Sequence, residues 1–382
     1  MNKSMTMMML LGAVAATGAA QAASVQRTAD GGYTLFGASY NYNIYTHKNF
    51  LIKTNDQGQA LWAVPFSAEG WNVLDTKLLT LTGNAMQTAD GGYIASFIDY
   101  RSDMGHLAKV DGSGSSVQWN NPYGQSYDPL YNVQPTADGG SIAAGYTQSM
   151  GAGNRDGWLL KVDGNGQQQW GTPYGYSSHD ELYAVRPTAD GGYIAAGITN
   201  DHPSGPGYDD GWLVKVNAGG KRSWDIPFGG ANYDSFVDVQ QTADGGYIAA
   251  GTTSSTGNTN GSGWLVKTNG QGKQQWSKSF TAGPILASVQ QTADGGYIAC
   301  GYSDTLPEGN GGNDFWLLKL DGKGNVQWQN AYGGSGDDWA SSAQQTPDGG
   351  YVVYGQSDTY RGTMLVKVNA DGSQAWGMYY PY

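Results

Sequence analysis

Four aspartates in this chain share one spacing. Asp128, Asp180, Asp234 and Asp338 each stand eight residues before a threonine, and each of those threonines (Thr136, Thr188, Thr242, Thr346) opens a Thr-x-Asp-Gly-Gly turn. Carboxylates are hard oxygen donors, so four of them in equivalent places round a ring can hold a cation such as Ca2+. Capping local loop amides is the other use of the same side chain. Thr80 and Pro284 hold two of the corresponding positions, so the set is incomplete. The four histidines are His47, His106, His179 and His202. His179 precedes Asp180, and Asp201-His202 is followed by Asp209 and Asp210. Histidine beside aspartate can ligate zinc or serve as a general base. No HxH or HxxxH spacing occurs, however, and solvated loop residues are the plain expectation. A third group is aromatic: Tyr40, Tyr42 and Tyr45 in one polar segment, and Trp71 in another. Aromatic rings on loops suit sugar stacking or a protein hot spot, and packing over a channel is the alternative. The ligand-binding candidates are thus Trp71, Tyr40, Tyr42, Tyr45, His179, Asp201, His202 and Asp209. The metal candidates are Asp128, Asp180, Asp234 and Asp338. No residue is assigned a catalytic role.

The elements that must position these groups come from a repeat. Thr-Ala-Asp-Gly-Gly, or a near copy, recurs seven times, with its aspartate at Asp30, Asp90, Asp138, Asp190, Asp244, Asp294 and Asp348. The gaps run 60, 48, 52, 54, 50 and 54, a mean period of 53 residues. A fixed period of this size marks a repeat architecture. The unit around Asp190 is the clearest. Strands are expected over 182–188, 193–198, 212–216 and 222–228, separated by Gly-rich turns and one long polar loop. Each unit also carries a lysine in its third strand, from Lys53 to Lys367, and a tryptophan in its fourth, from Trp62 to Trp376. An aromatic follows each tryptophan four residues later, on the same strand face. Four strands per unit, seven units and all-β composition predict a single seven-bladed β-propeller of antiparallel sheets. The blades are expected at about 24–66, 84–123, 129–174, 181–228, 235–280, 285–332 and 339–380.

Composition agrees. Of 382 residues 60 are glycine and only 14% are charged, against about 25% in a typical domain. The net charge of −12 argues against nucleic acid, whose phosphates demand a basic patch. The single cysteine, Cys300, excludes an intramolecular disulfide and lies in an apolar run, where a buried thiol is expected. Residues 1–22 read as a signal peptide: Lys3, then the apolar run Met5 to Ala19, then Ala20-Gln21-Ala22, with cleavage near Ala22/Ala23. A periplasmic or secreted, monomeric protein without a membrane span follows as an expectation.

The hairpin Leu160-Lys161-Val162-Asp163-Gly164-Asn165-Gly166-Gln167-Gln168-Gln169-Trp170 resembles the tryptophan-docking hairpin of quinoprotein-like β-propellers. The whole chain also resembles secreted repeat proteins built on QTxDGGYIxAG. The first resemblance implies that each tryptophan packs on the adjacent blade. The second implies an exported propeller and leaves the activity open. The vicinal disulfide of alcohol-oxidising quinoproteins cannot form with one cysteine, and no Gly-x-Ser-x-Gly elbow is present.

The repeat sorts its own loops. The first-to-second and third-to-fourth links are short and uniform, and both fall on one end of every blade. The other links are longer and irregular, and long loops on a rigid scaffold are where sites live. The seven turn aspartates read as Asx turns and the seven lysines as structural, with the turn aspartates at hand as partners. The expected function is binding of a protein or carbohydrate partner through the long-loop face, without catalysis. The alternatives are a quinoprotein-like oxidoreductase, a channel-mouth hydrolase, or a calcium-binding surface protein.

Overall fold

The computed structural model describes residues 24–41, 46–66, 83–99, 104–125, 127–258, 261–283, 285–307, 309 and 311–381. The described residues form seven four-stranded antiparallel sheets and no helix. Each sheet is built from four strands consecutive in the chain, so no blade borrows a strand from another. The first strands of all seven blades line one axial cavity of about 290 Å³. Ring closure is by packing: Val25, Leu35 and Ile52 of blade one share a core with Val352, Tyr354 and Leu365 of blade seven. Six other hydrophobic clusters likewise span two adjacent blades, as where Ile142 and Leu159 meet Leu182 and Trp212, and a further one runs from Tyr183 through Val237 to Ile285 across three. A single four-stranded sheet cannot bury both its faces, which is why the period must repeat and close.

In blade four the strands are Asp180–Pro187, Tyr193–Thr199, Asp210–Val216 and Arg222–Phe228. The first and third begin two residues earlier than the apolar pattern indicates, because Asp180 and Asp210 are drawn into the sheet ends. In blades three to seven the first strand carries a β-bulge, at Tyr131, Tyr183, Val237, Ala287 and Ser341. The bulge brings a backbone carbonyl against the facing strand, and only glycine fits there. A Cβ on Gly197 would collide with the Glu181 carbonyl, and one on Gly251 with that of Ser235. Blade two differs. Its first strand is only Ala85–Gln87, without a bulge, and Phe97 replaces the glycine. Phe97 stacks on His106, 5.2 Å between centroids, where blades three to six place a tryptophan opposite that glycine. His106 is therefore a buried residue of the strand Met104–Val110, not of a loop.

The uniform end is closed by two repeated devices. Each third-strand lysine pairs with the turn aspartate of its own blade, at 2.8 to 3.0 Å in every case from Lys53–Asp30 to Lys367–Asp348. Each tryptophan packs on the next blade's hairpin glycine. Trp119 donates to the Gly164 carbonyl at 3.1 Å, and a Cβ on Gly166 (φ +76°) would lie 2.9 Å from its ring. Trp376 packs on Gly58 and so fastens blade seven to blade one, where Tyr380 also donates to the Gly58 carbonyl. Cys300 is buried, and burial pushes its thiol pKa far up.

Candidate functional site

Six of the sequence candidates fall where the structure has least to say. Trp71, Tyr42 and Tyr45 lie outside the described residues, as does the segment 1–22. Tyr40 belongs to the strand Tyr33–Asn41 and His47 to Thr46–Thr54. Pro284 also lies outside. Of the remaining candidates, His179, Asp180, Asp201, His202 and Asp209 lie at the long-loop end of blade four and Asp128 at that of blade three, whereas Asp234 opens blade five and Asp338 blade seven.

Two bulges make the site. At the bulged position of the inner strand, blades five to seven carry Val237, Ala287 and Ser341, whereas blades three and four carry Tyr131 and Tyr183. All five line the axial cavity. Bulges re-aim side chains, and here they bring two phenols to the rim of the channel. Tyr131 lies 5.7 Å from Tyr183 and 5.9 Å from Tyr146, ring centre to ring centre. Arg155 stacks over Tyr146 at 4.7 Å.

Arg155 leads into blade three's third strand, and His179 into blade four's first. The two segments are stitched by backbone hydrogen bonds, Asp180 N to Arg155 O at 2.9 Å and Asn154 N to Ser178 O at 3.0 Å. This holds both side chains over buried Glu181. Arg155 Nη1 reaches Glu181 Oε1 at 2.5 Å, and His179 Nε2 reaches the same oxygen at 2.7 Å. Burial disfavours the charged imidazole, but the hydrogen bond and charge of Glu181 outweigh it and raise the His179 pKa. Burial together with Glu181 raises Tyr183 far above the ordinary phenol.

Asp201 accepts hydrogen bonds from the Ser177 amide at 2.8 Å and from its hydroxyl. Asp209 accepts from Asn200 at 2.9 Å and adds its field to His179. His202 belongs to a neighbouring cluster. It lies 3.4 Å from Asp225 and edge-on to Tyr176, whose hydroxyl donates to Asp225 at 2.8 Å. Ser204 lies 3.0 Å from His202 Nδ1 through its hydroxyl and 3.1 Å through its own amide. Two groups of one residue capping one ring nitrogen is a turn arrangement. Burial lowers the His202 pKa and so favours the neutral ring, although Asp225 pulls the other way.

The four metal candidates do not line the channel. Asp128, Asp180, Asp234 and Asp338 are fully buried between adjacent blades. Each caps its own loop: Gln125, Tyr176, Gly230 and Gly334 donate backbone N–H groups to them at 2.7 to 2.8 Å. Among the described residues no three His, Cys, Asp or Glu side chains come together as a metal-binding group. The bore carries one ion pair that sequence reasoning missed. Arg186 reaches Asp238 at 2.8 Å and Asn132 at 3.1 Å. The column of glutamines in its neighbours (Gln134, Gln240, Gln290, Gln344) is the signal that marks Arg186 as exceptional. Glu181 was equally findable, since its counterparts are Ser235 and Trp339. Exposed Tyr127, Met150 and Tyr208 add apolar surface to the long loops of the same two blades.

No protein-family model and no curated protein matches the chain. Solved structures do. The chain is similar to Chaetomium thermophilum Sqt1 bound to the N-terminus of ribosomal protein L10: TM-score 0.55, 9% identity, 94% of this chain and 86% of that one covered. It is similar to YCF48 bound to D1 peptide, TM-score 0.52, 11% identity, 91% and 92% covered. It is also similar to Kuenenia stuttgartiensis hydrazine synthase, TM-score 0.53, 10% identity, 78% and 80% covered. At these identities the likeness establishes the propeller fold and nothing finer. Among the described residues no helix is long and apolar enough to cross a membrane.

Proposed function

We propose that this protein is an exported, non-enzymatic propeller that binds an extended, basic segment of a protein partner at the long-loop mouth of blades three and four. The observation that carries the reading is the asymmetry at the bulge positions. A seven-fold repeat places aromatics at the channel rim in two adjacent blades, and the same two blades hold the Arg155–Glu181–His179 network. Rigid aromatic anchors beside a charge network seated on a buried carboxylate are the kind of residues hot spots are made of. The partner's charge follows from the chain's −12 and from Asp201 and Asp209 beside the network. Two of the similar propellers were solved with a peptide or protein terminus bound, which supports this use of the fold.

Selection of a peptide library on the immobilised full chain, repeated with Arg155→Ala and Tyr131→Ala, tests it. Basic peptides enriched by the wild type and lost on both variants are expected. Enrichment that survives both variants overturns the location. Selective binding on a glycan array favours the carbohydrate reading, for which exposed Tyr127 and Tyr208 are the platforms. Export rests on residues 1–22, and the mass of the mature protein, expected to begin at Ala23, checks it. The seven docked tryptophans support kinship with quinoprotein-like propellers. A stoichiometric absorbance change on adding pyrroloquinoline quinone and calcium would favour the oxidoreductase alternative.

A further inference from the structure

The aspartates that lead into the blades have partners that the sequence did not suggest. Asp180 faces Asp156 of the preceding blade. A Cβ on Gly175 would lie 2.6 Å from Asp180 Oδ2 and 2.7 Å from Asp156 Oδ1, so both oxygens crowd one point. Gly229 is placed in the same way between Asp234 and Asp210, and Gly333 between Asp338 and Asp314. All six aspartates are at most 2% exposed. Three blade junctions therefore each bury two carboxylates from different blades side by side.

Their oxygens are not all satisfied. Oδ2 of Asp180, Asp234 and Asp338 takes a backbone N–H. Asp234 and Asp338 also accept a hydroxyl there, from Ser255 at 2.7 Å and from Thr359 at 3.0 Å. Oδ1 of Asp180, Asp234 and Asp338, and Oδ1 of Asp210, have no hydrogen-bond partner. A buried acceptor without a partner is costly, and a buried unpaired charge more so.

Asp128 is held differently. Blade two begins its third strand with Met104, where blades three, four and six begin theirs with an aspartate. Asp128 Oδ1 accepts from Gln148 N at 2.8 Å and its Oδ2 from Gln125 N at 2.8 Å, with Ser149 donating to both. Asp128 is thus hydrogen-bonded at both oxygens. At Asp180, Asp234 and Asp338 the corresponding loop amide is turned to a backbone carbonyl, Asn200 N to His179 O, Ser254 N to Tyr233 O and Asp358 N to Asp337 O, at 2.9 to 3.0 Å, and no amide reaches Oδ1.

We propose that the three carboxylate pairs, Asp156/Asp180, Asp210/Asp234 and Asp314/Asp338, each bind a calcium ion that clamps adjacent blades together. A divalent cation balances two ionised carboxylates. A single shared proton is the rival occupant, but it joins one oxygen of each residue. At the blade four–five junction Asp210 Oδ1 lies beside Asp234 Oδ2, so a proton there leaves Asp234 Oδ1 open. A cation engages both oxygens of one carboxylate and one of the other. Calcium suits an irregular all-oxygen shell completed by backbone carbonyls and water, whereas magnesium demands a regular octahedron.

The test uses the full chain, stripped with chelator and dialysed to pH 7.5, titrated with calcium chloride by calorimetry and followed by thermal unfolding. Three equivalents per chain and a Tm raised by more than about 5 °C at saturation are expected. The double variant Asp210→Asn/Asp234→Asn should bind two equivalents, and Asp128→Asn should still bind three. If the double variant fails to fold, bound calcium in the wild type after exhaustive dialysis, measured by atomic emission, decides instead. Absence of bound calcium, with Tm unchanged by calcium or chelator but rising as pH falls from 7.5 to 5, overturns the proposal in favour of shared protons.

Discussion

Aspartate is the commonest charged residue at both ends of this propeller, and the two ends use it in opposite ways. At the uniform end each turn aspartate is more than half exposed and faces a buried lysine, as Asp190 faces Lys215 at 2.8 Å. The hydrogen bonds of Lys215 and Thr188 hold its pKa down, from an ordinary 3.8 to about 2. At the long-loop end Asp180 and Asp210 are buried, and burial pushes each pKa up to about 6, with neighbouring aspartates adding to the effect. One end carries its counter-charges in the chain. The other faces carboxylate with carboxylate and leaves the balance to solution. Internal pairing keeps one end uniform, while the other varies from blade to blade and holds both the proposed binding mouth and the open carboxylates.

The largest expected effect tests how far the uniform end fastens the ring. Trp224→Ala removes the ring that packs on Gly272 and edges against Tyr247 at 5.8 Å. It should cost about 3 kcal/mol by urea unfolding. A loss under about 1 kcal/mol would mean that the blades hold together without their docked tryptophans.

Next comes a reversal of sign. Asp190→Asn leaves buried Lys215 without its counter-charge and should destabilise by about 1–3 kcal/mol at pH 7. That contribution is fully present above pH 3.8 and fades as pH falls towards 2. Asp210→Asn, measured in chelator at pH 7.5, should instead stabilise by about 1 kcal/mol, because it removes one of two adjacent buried charges. In chelator the wild type should lose stability as pH rises from 3.8 to 6. The folded state binds the Asp180 and Asp210 protons more tightly than the unfolded chain does, and that advantage vanishes above pH 6. Equal destabilisation by the two Asp→Asn changes would erase the contrast between the ends.

The contrast also explains what the sequence displays. The uniform end is legible because every residue in it is repeated. Thr188, Asp190, Gly191, Lys215 and Trp224 each have six equivalents, so period and chemistry point the same way. The antiparallel sheets, the lysine partners and the blade order follow from them. The bulges are not legible. Tyr183 occupies an ordinary alternating strand pattern, and only the facing Gly197 hints that a carbonyl intrudes. The carboxylate pairs are hidden for a different reason. Asp156 and Asp180 belong to different blades and different strands, and no local spacing joins them. His106 misleads because blade two replaces the Gly–Trp pairing of blades three to six with Phe97–His106.

The smallest expected change in stability carries the sharpest test of the variable end. Arg155 is about two-fifths exposed, and exposed ion pairs contribute roughly 0–1 kcal/mol. Arg155→Ala should therefore leave the unfolding curve almost unmoved. It should still take a positive charge away from His179 and Glu181, since Arg155 contacts both. The His179 pKa, followed by proton NMR, should then rise further, because a neighbouring positive charge is gone while Glu181 remains at 2.7 Å. A pKa that does not move would show that the three groups are neighbours without being coupled, and the mouth would lose its claim to be a preorganised site.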